Sequence, residues 1–156
     1  MGFEARAELI VSYEATPGIV RALLAGISVG QAGQRPDPES LALVEVVAHL
    51  ADAEVRAHER VRRMLSEPDP QLAAYDEAVL ASEQRYVEQS LATARDRFAQ
   101  ERAAHVATLR ALSEDEWGRI GRHAEVGSIT IETYTAHMVA HDLIHLAQIA
   151  RLLTMS

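Results

Sequence analysis

The sequence predicts an all-α chain, four helices packed as a four-helix bundle with a long crossover between helices 2 and 3. Three observations point there. Alanine, leucine and valine abound while aromatic residues make up only 4%, a balance that favours helix packed on helix over a β-sandwich. Four segments carry apolar residues at helical spacing, separated by stretches rich in Gly, Pro and Asp at 31–38, 67–70 and 121–128. The connection between the second and third segments is much longer than an antiparallel turn requires. At 156 residues the chain has the length of a single domain spanning 1–156, enough to bury a core.

The first helix is expected from about Phe3 to Ser28, with Leu9, Ile10, Tyr13, Val20, Leu23, Leu24 and Ile27 on its stripe and a break or kink at Thr16–Pro17. The second runs from about Pro38 to Ser66. The linker from Glu67 to about Ala81 contains LAAYDEAVLA, which has the composition of a short helix of its own. The third helix runs from about Ser82 to Leu112, striped by Val87, Leu91, Ala94, Phe98, Leu109 and Leu112. The fourth starts near Ser128, read as its N-cap, and ends at about Thr154.

Composition excludes several functions. A net charge of −8 argues against nucleic acid, because phosphate binding needs a basic face. No apolar run approaches the roughly 18 residues of a membrane span. The acidic N-terminus, MGFEARAELIVSYEA, is unlike a signal peptide, so a cytoplasmic location is expected. Without cysteine there are no disulfides and no thiolate ligands. Any tightly held transition metal must use histidine and carboxylate.

Seven histidines are available. In HMVAHDLIHLAQIARLL, His137, His141 and His145 follow one another at intervals of four. Residues i and i+4 stand about 6 Å apart along a helix and can share an ion, whereas i and i+8 stand about 12 Å apart and cannot do so easily. His141 and His145 are the better pair, because Asp142 lies at the centre of the apolar stripe and an unpaired buried carboxylate is costly. A metal or a metal-bound histidine would compensate it, and His137 falls at the pocket edge. The third ligand must come from another helix. His49 sits in EVVAHLADAE between Glu45 and Asp52, and His105 lies with Glu101 on the stripe of the third helix. Periodicity leaves both open. His58, on an apolar side of the second helix, and His123, in a loop, read as structural or solvated.

EVVAHLADAE followed far downstream by AHDLIHLAQIARL resembles the DinB-like (DinB/YfiT) superfamily, and YEATPGIVRALLAG resembles that family's first helix. The resemblance implies a bundle in up-down-down-up order and a divalent metal, zinc or nickel, on one histidine from the second helix and an HxxxH pair from the fourth. These positions match His49, His141 and His145. Many members of the family are homodimers, so a homodimer is expected. Some relatives transfer low-molecular-weight thiols.

The expected function is that of a metal-dependent enzyme acting on a small-molecule substrate. Three neutral imidazoles leave a coordination position open, for a water or for a thiol bound as thiolate. The resemblance favours a thiol S-transferase over a metal-dependent hydrolase; a non-catalytic metal-binding or dimerising protein is the further alternative. Asp142 or Asp52 would orient a ligating imidazole through its other nitrogen. His105 and Glu101 would join the pocket if the third helix lines it.

Overall fold

The computed structural model describes residues 2–155. Four long helices are α1 (Phe3–Leu23), α3 (Leu43–Ser66), α5 (Leu91–Arg110) and α6 (Ile131–Thr154). Two short helices, α2 (Val29–Gly33) and α4 (Glu77–Glu83), lie in the connections. Three short strands, β1 (Gln71–Leu72), β2 (Ile120–His123) and β3 (Gly127–Thr130), form a small sheet. Among the described residues no helix is long and apolar enough to cross a membrane.

Side-chain pairs give the direction of each helix. Across α3 and α5 they run in step: Arg97 meets Asp52, His105 meets Glu54, and Thr108 meets His58. Across α1 and α6 they also run in step, Arg6 to Glu132 and Thr16 to Asp142. Between α3 and α6 the order reverses, His49 meeting His141 and Arg60 meeting Tyr134. Between α1 and α5 it reverses too, Arg21 meeting Asp96 and Arg110 meeting Glu14. The bundle is therefore up-down-down-up. Because α3 and α5 are parallel, the chain must climb back along α3, 24 residues long and so about 36 Å, which is why the crossover is long.

α1 does not break at Thr16–Pro17; it continues as one helix from Phe3 to Leu23. Proline has no N–H for the carbonyl of the residue four positions earlier, here Tyr13. That carbonyl instead accepts a hydrogen bond from the Arg102 guanidinium of α5. The carbonyl that proline orphans is thus satisfied by a tertiary contact that periodicity does not register.

The other long helices start later than their apolar patterns suggest. Ser90 caps α5 through the Thr93 N–H. α6 is capped by Thr130 and not by Ser128, because residues 127–130 belong to β3. The short helix expected in the crossover is α4, capped by Asp76, whose carboxylate accepts from the Val79 N–H.

The sheet is absent from the sequence-based expectation. β2 and β3 form a hairpin in register Ile120 to Thr130 and His123 to Gly127, and β1 joins β2 in parallel. It packs so closely on α3 that a Cβ at Gly121 would stand 2.9 Å from Leu72 Cδ1 and 3.0 Å from Met64 Cγ. Arg63 and Arg119 tie the α3 C-terminus to it through the carbonyls of Gln71 and Met64. The hairpin carries His123 out of the loop assigned to it and buries it against the Tyr134 and His137 rings of α6.

Candidate metal centre

α3 is buried continuously from Leu43 to Glu54, so His49 enters the bundle on a rigid, apolar helix. Facing it, α6 presents His141 and His145 one turn apart. The His49 and His141 Nε2 atoms are 3.3 Å apart, and those of His141 and His145 are 3.1 Å apart. One nitrogen from each ring can be chosen so that all three lie within 4.8 Å of one another.

The ring nitrogens fit a cation. His145 Nδ1 lies 2.8 Å from Gln148 Oε1, an acceptor, so Nδ1 carries the proton and Nε2 offers its lone pair to the centre. Burial holds the His49 imidazole neutral, with its pKa lowered to about 3, and the neighbouring imidazoles reinforce this. His141 is lowered to about 4 for the same reasons, burial first. Three imidazoles whose Nε2 atoms converge cannot all satisfy one another, but each is a good ligand atom. A tetrahedral ion about 2.05 Å from each nitrogen sets neighbouring ligands about 3.3 Å apart, close to the spacings seen here. The Nδ1 atoms of His49 and His141 are buried and find no hydrogen-bond partner among the described residues.

The trio opens on one side into a cleft of about 240 Å³ between α3, α6, the crossover and the sheet. Its lining includes His49 and His141, then Glu77, Tyr75, Arg60, Tyr134, His137 and His123. Glu77 Oε1 stands 3.5 Å from His49 Nε2, and the Glu77 side chain is 42% exposed, so its carboxylate is open to the cleft.

The DinB superfamily profile matches residues 12–149. The chain is a member of the DinB superfamily. Among solved structures, YfiT from Bacillus subtilis superposes with a TM-score of 0.89 at 22% identity, covering 97% of this chain and 87% of that one. That structure is described as a "probable metal-dependent hydrolase with an unusual four-helix bundle topology"; at this identity the likeness speaks for the fold. No curated protein matches the chain.

In this member of the DinB superfamily the three expected ligand positions come together, and the rival third ligand does not. His105 lies in a separate buried network: its Nδ1 is 2.7 Å from Glu54 Oε1, and its ring stacks on His58. Neither His105 nor Glu101 lines the cleft. The stripe of α5 keeps Ala94, Phe98, His105 and Leu109 buried as the pattern has them, but it also buries Arg102, while Glu101 is only half-buried.

The two aspartates also have other partners. Asp142 is buried as expected, but Arg102 compensates it with Nη1 2.7 Å from Oδ2 and Nη2 2.9 Å from Oδ1, and Thr16 adds a third bond at 2.7 Å. Asp52 accepts from the Tyr86 hydroxyl and pairs with Arg97 at 2.6 Å. Neither carboxylate touches a ligating imidazole. Asp142 points inward to α1 and α5, while His141 and His145 face α3.

Sequence reasoning missed Glu77, Arg60 and Arg102. Arg102 carried a usable signal: it falls four residues after Phe98 and three before His105, and a core aspartate demands a buried cation. Arg60 carried a weak signal, since it lies on the His49 face of α3 eleven residues on; Glu77 carried none, because the crossover has no periodicity that would place it at the cleft.

Proposed function

We propose that this protein is a divalent-metal-dependent hydrolase of a small molecule bound in the α3–α6 cleft. The convergence of the His49, His141 and His145 Nε2 atoms carries this reading. An ion held there supplies Lewis acidity, lowering the pKa of a water or polarising a carbonyl. His145 is oriented through Nδ1 by Gln148, which keeps its Nε2 available as a ligand. Glu77, outside the trio but 3.5 Å from His49 Nε2, is placed to take the proton of the attacking water. The walls contributed by Tyr75, Leu80 and Met138 exclude bulk water from one side of the substrate.

Thiol transfer would use the same open position. The cleft supplies a carboxylate next to the trio, which serves water activation directly, and this favours hydrolysis.

Elemental analysis of untagged protein tests the centre. About one zinc or nickel per chain is expected in the parent, and none in His49→Ala or His145→Ala. Glu77→Gln should keep the metal and lower turnover of small esters or amides by about 10²-fold or more. Metal bound equally by parent and both histidine variants would refute the site. Transfer of an added thiol to an electrophile, without hydrolysis, would move the assignment to a thiol transferase.

We further propose that two copies pair through the outer surfaces of α1 and α6. Val11 (61% exposed), Leu143 (66%) and Ile144 (64%) support this apolar contact. Sedimentation should show a dimer in the parent and a monomer in Leu143→Glu/Ile144→Glu.

A further inference from the structure

The end of the cleft away from the histidine trio holds an unusual pair of cations. Arg60 lines the cleft, and Arg56 stands one turn before it on α3. Both guanidinium carbons pack on the Tyr75 ring, 4.4 Å from its centroid for Arg56 and 4.8 Å for Arg60. Neither pairs with a carboxylate among the described residues, although the chain carries a net charge of −8 and Arg6, Arg97 and Arg102 all do. Two like charges on one ring repel.

Arg60 is also held in place. Nη1 donates to the Tyr134 hydroxyl at 3.1 Å and Nη2 to the Ala73 carbonyl. A guanidinium has five N–H donors, so three are left without a partner among the described residues. A fixed planar fork with spare donors matches a carboxylate. The wall beside it is apolar, formed by Ala53, Ala74 and Met138.

We infer that Arg60 is the recognition site for a carboxylate on the cleft's ligand, and that the ligand's apolar body lies along the wall towards the histidine trio. Tyr134 and His141 are seven residues apart on α6, about 10 Å along the axis. A substrate would carry its acidic group about that far from the bond that reacts. The carboxylate site stands on Arg60 alone; its meaning as a substrate handle rests on the hydrolase reading above. Glu77 and Glu125 also line the cleft and repel a second anion, so one acidic group is accommodated and not two.

Hexanoate is the probe, with hexanamide as its neutral counterpart, titrated by calorimetry into the full chain treated with chelator. Hexanoate should bind at least tenfold more tightly than hexanamide. Arg60→Gln should lose at least tenfold in hexanoate affinity, and His49→Ala should lose nothing. Tyr134→Phe removes only the hydroxyl that positions Arg60 and should weaken binding a few-fold, which keeps the test decisive should Arg60→Gln fail to fold. Equal binding of the two probes, no hexanoate binding at all, or unchanged affinity in Arg60→Gln would overturn the inference. So would loss of binding in His49→Ala, which would put the carboxylate at the trio. A parent that binds hexanoate but no metal would leave the carboxylate site standing and remove the hydrolase.

Discussion

Two groups of buried histidines lie along α3, and they are built in opposite ways. Around Glu54 the charged groups answer one another through hydrogen bonds and ion pairs, and His105 Nε2 is left without a hydrogen-bond partner among the described residues. The Glu54 carboxylate accepts from the Tyr13 hydroxyl at 2.6 Å and sits 2.7 Å from His105 Nδ1. Arg102 Nε lies 3.0 Å from Glu54, near enough for an ion pair although its N–H is not aimed for a hydrogen bond. Around His49 there is no such answer: three imidazoles face one another, among the described residues no arginine bonds to them, and the Glu77 carboxylate beside His49 is half open to solvent. A histidine beside a carboxylate and an arginine is held as structure. Histidines whose lone pairs converge are held for something that must arrive.

The comparison breaks most visibly at Arg102. Removing it as Arg102→Met leaves Asp142 and Glu54 as buried carboxylates with their cation gone, and frees the Tyr13 carbonyl that Pro17 cannot satisfy. A loss of about 3–5 kcal/mol is expected in urea unfolding. His49→Ala, on the same helix, should cost the chelator-treated protein only about 1 kcal/mol while abolishing metal binding. Equal losses in the two variants would show that the regions do not differ in kind.

His105 sharpens the contrast from the other side. His105→Gln removes the ring that bonds Glu54 and stacks on His58. About 1–3 kcal/mol should be lost, as for an unsatisfied buried partner, and the metal content should stay that of the parent. A loss of metal would mean that α5 contributes to the centre after all.

How much of this was legible follows from what each residue depends on. Positions set by one helix's periodicity were readable: the four long helices, the pairing of His141 with His145, and the burial of Asp142. The direction of the helices was readable only through the length of the crossover. The third ligand was not readable from periodicity, because His49 and His105 both sit on helical faces and nothing there says which face meets α6; only the family resemblance pointed to His49. The partner of Asp142 was wrongly given to a metal or a metal-bound histidine, since Arg102 is charged and does not register as a core position of the α5 stripe. The sheet left little trace in the pattern: its strands have two to four residues, too few for alternation to stand out. With it went His123, Arg60 and Glu77, whose roles exist only where the crossover closes over the bundle.

The last expected effect concerns pH and belongs to the structural histidines. Arg62 Nη2 donates to His58 Nδ1 at 2.9 Å, so the proton of the neutral ring is on Nε2, which donates to Thr108 Oγ1 at 2.7 Å. A second proton would have to enter a buried ring between His105 and Arg62, with only Glu54 nearby to favour it. Burial foremost, then His105 and Arg62, lowers the His58 pKa from 6.5 to about 4. The unfolded chain therefore takes up this proton first. The contribution of His58 to stability is complete above pH 6.5, shrinks as the pH falls towards about 4, and changes no further below that. Urea unfolding of chelator-treated protein across this window should show stability falling less steeply in His58→Gln than in the parent. Superimposable slopes would mean that the His58 ring takes up its proton in the folded state as easily as in water, and that the Glu54 network does not exclude charge from the ring stacked upon it.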